Sequence, residues 1–502
     1  MKKILMIILS GFGINENING NAVKNANMEY FNYLWNNYPH STLEASGKAV
    51  GLPEGVSGNS QIGHLTISIG QKIKQKYTIL EEMLDFKEIV NQESFKQMIN
   101  NLDNHTLHLM GLVTDATIHS NINYMIKFIN ILKEQGVKNV VFHAITDGVD
   151  TGTKTSVNYI KQIEEALKKT EIGILGSVSG RYYLEGPENK TERLRKYYDL
   201  IVSGIGFNIL NYETAINNLY IKNITDEFLP PMLLNGKNTI KNGDTILCLD
   251  YDMISKNLLK SLKDSEFTSF ITKEFSDLNI YTLFPNLELK NVIPLLPFDQ
   301  SKIYSLGEYF KDLKLTQARI AETNKYKSVT YYFNAEKCNK YPLTTNYLLP
   351  SPNVVSYSDT PLMSAIDITK QAKKCLDQDV DFILVNYSNP DSLAHTGNIS
   401  ATIKALDSLD KILKNLIECA NDNFYNVIIT SDHGNCETML DANNNPLFNN
   451  TNNPVPFIIL DKKITLREKG DLTNVAPTLL KYMDIKIPET MQNTKNLILD
   501  DM

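Results

Sequence analysis

The chain reads as an α/β protein built on mostly parallel sheets. Three observations predict this. Short apolar runs, NVVFHAIT (139–146), DFILVNYS (381–388) and NVIIT (426–430), each end in polar or glycine-containing turns. Between such runs lie segments of helical period, SVNYIKQIEEALKK (156–169) and ATIKALDSLDKILKNLIE (401–418). Strand and helix therefore alternate almost throughout, as in folds whose parallel strands are joined by crossover helices.

In chain order the first element is KILMIIL (3–9), ended by Gly11-Phe12-Gly13. Lys2 and Lys3 ahead of it imitate an export signal, but an apolar core of six residues is short of the roughly 7–15 of a signal h-region. The run fits a strand buried on both faces, and the protein is expected in the cytoplasm. GVSGNSQIGHL (55–65) is a glycine-rich loop leading into Ser60. If a helix begins there, Ser60 sits at an end that stabilises negative charge, although a plain capping serine has the same spacing. In 401–418 the apolar positions 403, 406, 409, 412, 413 and 416 keep close to helical period. DANNNPLFNNTNNP (441–454) reads as a polar loop.

A chain of 502 residues is long for one core, so two domains are expected. Hydrophobic residues make up 42% and charged ones 21%, and the net charge of −7 disfavours a nucleic-acid surface. No stretch approaches the ~18 apolar residues of a membrane helix. Cys248, Cys338, Cys375, Cys419 and Cys436 form no C-x-x-C pair and read as thiols in a reducing compartment.

Ligands of open parallel sheets bind beyond the carboxyl ends of the strands. The residues that follow the apolar runs are Ser10, Asp147, Asp150, Asp391, Asp432 and His433. Carboxylates with some imidazole suit a hard divalent cation. In DSLAHTGN (391–398), Asp391 and His395 are four apart, on one face of a helical turn. A capping Asp391 beside a surface His395 would look the same; SDHGN (431–435) with Asp432 and His433 tips the balance to metal.

AVGLPEGVSGNSQIGHL, LHLMGLVTDATIHS, SVSGRYY, AETNKY, NPDSLAHTGN, TSDHGN and NNPVPFIIL occur in this order across nearly the whole chain. Together they closely resemble the cofactor-independent phosphoglycerate mutases of the alkaline phosphatase superfamily. The resemblance implies interconversion of 3- and 2-phosphoglycerate through a phosphoserine, two divalent metals (typically Mn2+), and no 2,3-bisphosphoglycerate. It implies an alkaline-phosphatase-like parallel-sheet domain, residues 1–76 and 297–502, carrying metals and nucleophile. A second α/β domain inserted in it, residues 77–296, would clamp the substrate. A small phosphorylated metabolite is the expected partner, with no membrane or nucleic acid, and the chain is expected to be a monomer.

Carried over residue by residue, the nucleophile matches Ser60 and a catalytic-site lysine matches Lys325. One metal would be held by Ser60, Asp432 and His433, and by an aspartate whose place is taken by Ser10. The other would be held by Asp391 and His395, and by a histidine whose place is taken by Asn450. Substrate-binding positions keep His119, Asp150 and Arg181, while family arginines fall on Val149, Pro187, Asp252 and Ser255. Scaffold stretches such as LEASGKAVGLPEG still match well.

Serine and amide oxygens are weaker ligands than carboxylate and imidazole, so reduced affinity for one or two Mn2+ ions is expected. Each charge-assisted hydrogen bond from an arginine is worth roughly 1.5–3 kcal/mol, and ~1.4 kcal/mol is tenfold. Losing four arginines therefore predicts an impaired or altered mutase. A metal-dependent phosphoesterase or phosphotransferase on another substrate, and a non-catalytic binding or regulatory pseudoenzyme, are the alternatives.

Overall fold

The computed structural model describes residues 1–499 apart from 103, 118, 185–190, 235–237, 252–253, 287–288, 299–302, 338–340, 355 and 493. The chain divides into two units, Met1–Lys74 with Gln300–Met502, and Gln75–Asp299.

In the first unit Ile4–Leu9 is fully buried because every position of ILMIIL is apolar. Leu5, Ile7 and Leu9 enter one core and Ile4, Met6 and Ile8 the other, as the period of two requires. Each such side chain gains about 1.5–3 kcal/mol on burial, an upper range because unfolded chains already bury some surface. The strand lies inside an eight-stranded sheet of order Thr344–Leu349, Gln317–Glu322, Phe382–Tyr387, Ile4–Leu9, Asn426–Thr430, Val455–Ile459, His40–Glu44, Lys469–Asp471. Its neighbours Phe382–Tyr387 and Asn426–Thr430 are both parallel to it, with Leu9 opposite Tyr387 and Ile8 opposite Thr430. That register brings three strand ends level. Val455–Ile459 is antiparallel to both its neighbours.

The amphipathic segment at 401–418 belongs to a longer helix, Ile399–Asp422. Asn398 caps it by accepting a hydrogen bond from the Ala401 amide, so the helix starts before its apolar pattern does. Leu406, Leu409, Leu413 and Leu416 pack on one sheet face. Residues of Ser60–Ile69 and Val475–Tyr482 pack on the other. The 441–454 stretch contains no named strand or helix.

The second unit carries its own eight-stranded sheet, Ile293–Pro294, Asn279–Thr282, Thr245–Cys248, Leu107–Val113, Val140–Thr146, Gly173–Gly180, Met232–Leu234, Phe207–Ile209. Its pairings are parallel except that of Gly173–Gly180 with Met232–Leu234. The segment expected as a helix at 156–169 is Ser156–Thr170. Cys248, Cys375 and Cys436 are buried free thiols and Cys419 is a half-buried one; Cys338 lies outside the described residues. No helix among the described residues is long and apolar enough to cross a membrane.

Candidate active site

The three level strand ends of the first unit deliver the chemistry. Ser10 continues the ladder, its amide donating to the Tyr387 carbonyl at 3.0 Å. Gly11 follows with φ +72°, and a Cβ there would stand 2.7 Å from that of Asp391. Only a glycine lets the turn accept the carboxylate so closely. Asp391 lies in the first turn of helix Asn389–Ala394, with Pro390 ahead of it, where an acidic group is favoured by the helix dipole. His395 caps the end of the same helix. Asp432 and His433 follow Asn426–Thr430. Ser60 is the first residue of helix Ser60–Ile69, whose cap Asn59 accepts from the Ile62 amide. That helix packs against the Asp432 backbone, and a Cβ at Gly63 would meet the Asp432 carbonyl at 2.3 Å.

Ser60 Oγ is approached by three groups. Lys325 Nζ donates to it at 2.6 Å. His433 Nε2 lies 3.1 Å away and Ser10 Oγ 3.3 Å. His433 Nδ1 faces the Gly434 carbonyl at 3.2 Å, and a carbonyl only accepts. In the neutral ring Nδ1 therefore carries the proton, and Nε2 is free to accept the Ser60 proton.

Both carboxylates are buried and strongly held. Asp432 accepts from the Gly11 amide at 3.1 Å, the His433 amide at 3.1 Å and Ser10 Oγ at 2.9 Å. Burial raises its pKa, but His433, His64 and Lys325 overcome this and hold it far below the usual carboxylate range. Asp391 accepts from Lys325 Nζ at 2.5 Å and Asn435 Nδ2 at 2.8 Å. Burial again acts upward, and Lys325, His395 and His433 bring it well below its ordinary value. Lys325 is pushed down by burial and more strongly up by Asp391 and Asp432, so its ammonium stays charged. His395 is raised by Asp391; its Nδ1 donates to the Phe448 carbonyl at 2.6 Å and its Nε2 is 3.2 Å from Asp391 Oδ1.

The two substituted positions are occupied in other ways. The Ser10 hydroxyl spends its proton on Asp432. Asn450 donates from Nδ2 to the Gly58 carbonyl at 2.9 Å, and its Oδ1 accepts from Asn435 Nδ2 at 3.3 Å. It thus ties the glycine-rich loop to the Asp391 side of the site. These donors do not fit the two-ion centre implied by the resemblance. Asp391 with His395, and Asp432 with His433, each lack a third charged or imidazole ligand, and the Lys325 ammonium already bonds Asp391 and Ser60. Among the described residues no group of three or more His, Cys, Asp or Glu is placed to hold a metal.

His64 is a site residue that the sequence reading did not single out. Its Nδ1 bonds the Ser60 carbonyl at 2.8 Å and is 3.3 Å from Asp432 Oδ2, and its Nε2 lies 3.0 Å from Asn386 Nδ2. Its place one helical turn after Ser60 was the available signal. Glu437 was missed too; it accepts from the Gly13 amide at 3.0 Å and the Asn435 amide at 2.8 Å.

In the second unit Arg181, buried, donates from Nη1 to Asp147 Oδ1 and Asp150 Oδ2, both at 2.6 Å. His119 Nε2 is 3.6 Å from Asp150 Oδ2. Val149 is exposed, while Ser255 is fully buried and donates to Asp250 Oδ2 at 3.0 Å. Burial pushes Asp250 up to about 6. Arg193 stacks on the Tyr182 ring at 4.0 Å and Arg195 pairs with Asp199 at 3.4 Å. Pro187 and Asp252 lie outside the described residues.

A parallel α/β sheet with a helix-borne serine among acid, imidazole and ammonium groups at its strand ends defines a metallohydrolase-like class of protein. A family model described as the Metalloenzyme superfamily matches residues 2–487. Curated 2,3-bisphosphoglycerate-independent phosphoglycerate mutases match over the full length. That of Clostridium kluyveri is 36% identical over 99% of this chain and 99% of its own. That of Prochlorococcus marinus is 34% identical over 99% and 94%. The chain belongs to this mutase family within the Metalloenzyme superfamily, and membership implies dependence on a divalent metal. A crystal structure of Leishmania mexicana phosphoglycerate mutase at low cobalt concentration has the same fold, with a TM-score of 0.85 and 24% identity over 100% of this chain and 98% of that one.

Proposed function

We propose that the chain is a serine-centred phosphoryl-transfer enzyme that retains the family's mutase reaction in kind but performs it slowly, with hydrolysis competing. The observation that carries this reading is the Ser60 hydroxyl held between His433 Nε2 at 3.1 Å and Lys325 Nζ at 2.6 Å. Serine attacks a phosphorus atom only if its proton is removed and its developing charge is met. His433 takes the Ser60 proton as the Oγ–P bond forms and the ester P–O bond breaks. It then passes that proton to the leaving alkoxide. Lys325 neutralises charge on the transferring phosphoryl group. Return of the phosphoryl to the other hydroxyl of the retained glycerate completes a mutase cycle; capture by water completes hydrolysis.

The substrate is proposed to be a small phosphorylated metabolite of the phosphoglycerate class, turned over without 2,3-bisphosphoglycerate by a cytoplasmic monomer in glycolysis. Mn2+ is the proposed activating ion, in one or two equivalents and weakly held, since Ser10 and Asn450 offer only neutral oxygens. Arg181 supports the view that the grip on substrate has loosened, because its charge is spent on Asp147 and Asp150. The same observation favours a second reading, a phosphoesterase acting on a different ester. An enolase-coupled assay of 3-phosphoglycerate, run beside release of inorganic phosphate from the same substrate and from a generic aryl phosphate, decides between them. Both products with 3-phosphoglycerate support the first reading, aryl phosphate hydrolysis alone the second. No turnover of either, from folded protein in Mn2+, overturns both.

A further inference from the structure

A second polar site lies in the first unit, away from Ser60. Strand Gln317–Glu322 is buried at all six positions, and one of them is Arg319. Its neighbours Ala318 and Ile320 pack into one core, while Arg319 is directed to the other face, among Phe333 and Phe382. The guanidinium carbon is 4.3 Å from the Phe333 ring centre and 5.1 Å from that of Phe382. Nη2 donates to Gln317 Oε1. Nε and Nη1 are fully enclosed and meet no acceptor. The nearby acid Glu308 bonds Lys337 at 2.6 Å instead.

Two other enclosed polar atoms, Tyr341 OH and Asn334 Oδ1, also meet no partner. They converge with Arg319 over Gly307. A Cβ built there would stand 2.5 Å from Asn334 Oδ1, 3.1 Å from Arg319 Nη2 and 3.3 Å from Tyr341 Cε2. A buried cation without a counter-charge is among the costliest arrangements in a protein, and unmet donors add to it. Aromatic faces relieve the charge only in part. Water satisfies donors but leaves the charge unbalanced. A small monovalent anion does both, accepting from Nε, Nη1 and the Tyr341 hydroxyl. The Asn334 amide contributes a donor when turned over, which its near-symmetric shape allows.

We propose that Arg319, Tyr341 and Asn334 form a buried binding site for a small monovalent anion of the halide class. The site touches the catalytic machinery through the backbone. Strand Gln317–Glu322 runs directly into the turn Thr323–Lys325, and Phe333 follows the π-helix Ser328–Tyr332. Anion occupancy therefore braces both ends of the segment that carries Lys325.

Bromide-soaked crystals measured at the bromine edge test this, together with melting curves in sodium chloride and sodium gluconate at equal ionic strength. The expected result is an anomalous peak within hydrogen-bond reach of Arg319 and Tyr341, and a saturable rise in Tm with chloride that gluconate does not give. Tyr341→Phe, which removes one donor and keeps the ring, should shift the chloride midpoint about tenfold higher. Arg319→Met should abolish the response. No anomalous peak, an ordered water in its place, equal Tm in the two salts, or an unchanged midpoint in Tyr341→Phe would each overturn the proposal.

Discussion

The ammonium of Lys325 is 2.6 Å from Ser60 Oγ. The same nitrogen is 2.5 Å from Asp391. One cation of the chain thus joins groups that the family resemblance assigns to different metal ions.

Replacing Lys325 by methionine should therefore change two measurements in opposite directions. Turnover of a phosphate ester should fall at least about 100-fold, since a charge that meets the phosphoryl group is worth about 2.7–4 kcal/mol in comparable sites. Mn2+ affinity, read by titration calorimetry, should rise, because two buried carboxylates are left without their fixed cation. A Lys325→Met protein with unchanged metal affinity would show that the ammonium does not oppose the ion.

Ser60→Ala should leave the fold intact and remove turnover. Ser60 is only partly buried and its hydroxyl caps no helix; that task falls to Asn59. Intact-mass analysis of wild-type protein quenched during turnover should show one added phosphoryl group that Ser60→Ala lacks. Equal hydrolysis by the two proteins would mean that water, not serine, attacks.

Ser10→Asp with Asn450→His restores a charged or imidazole third ligand to each half of the site. Bound manganese per chain, measured by elemental analysis after gel filtration, should rise towards two. Asn450→His also removes the bond to the Gly58 carbonyl, so a loss of stability of about 1 kcal/mol is expected beside it. If the double variant binds no more metal than wild type, these two positions do not face the ions.

The second unit should lose stability just below neutral pH. His143 is fully buried between His108 Nδ1 at 2.9 Å and Ser177 Oγ at 2.8 Å. Burial, then the neighbouring His108, hold its pKa well below the ordinary value. The unfolded chain takes up this proton below about pH 6.5 while the folded one does not, so stability is complete above that pH and falls as pH drops, by up to ~1.4 kcal/mol per unit. Asp250, raised by burial to about 6, works the other way. The folded state there holds a proton that the unfolded state releases, which adds stability as pH falls through about 6. The loss should thus be steepest between about pH 6.5 and 6. Melting curves of wild type and His143→Gln across pH 5–8 check it, and the variant should lack the fall.

Much of the fold was legible because the driving force is written in one dimension. Apolar runs bounded by glycine and polar turns, alternating with helical period, determine strands, helices and mainly parallel sheets. ILMIIL could only be a strand buried on both faces, and Ser10, Asp391, Asp432 and His433 could be picked out because they follow such runs. Which of these groups meet depended on register. Leu9 lies level with Tyr387 and Ile8 with Thr430, and these pairings join residues nearly 400 positions apart that carry no mutual signal in the chain.

By itself, then, the sequence determined the fold class, the family and the kinds of side chain at the strand ends, because hydrophobic period and residue type are local properties. Only the tertiary structure decided that Lys325 lies between Ser60 and Asp391, that Arg181 spends its charge on two aspartates, and that Arg319 is enclosed without a counter-ion. Those are facts about distance. Distance sets the strength of every electrostatic interaction, and for groups far apart in the chain it exists only once the sheets have formed.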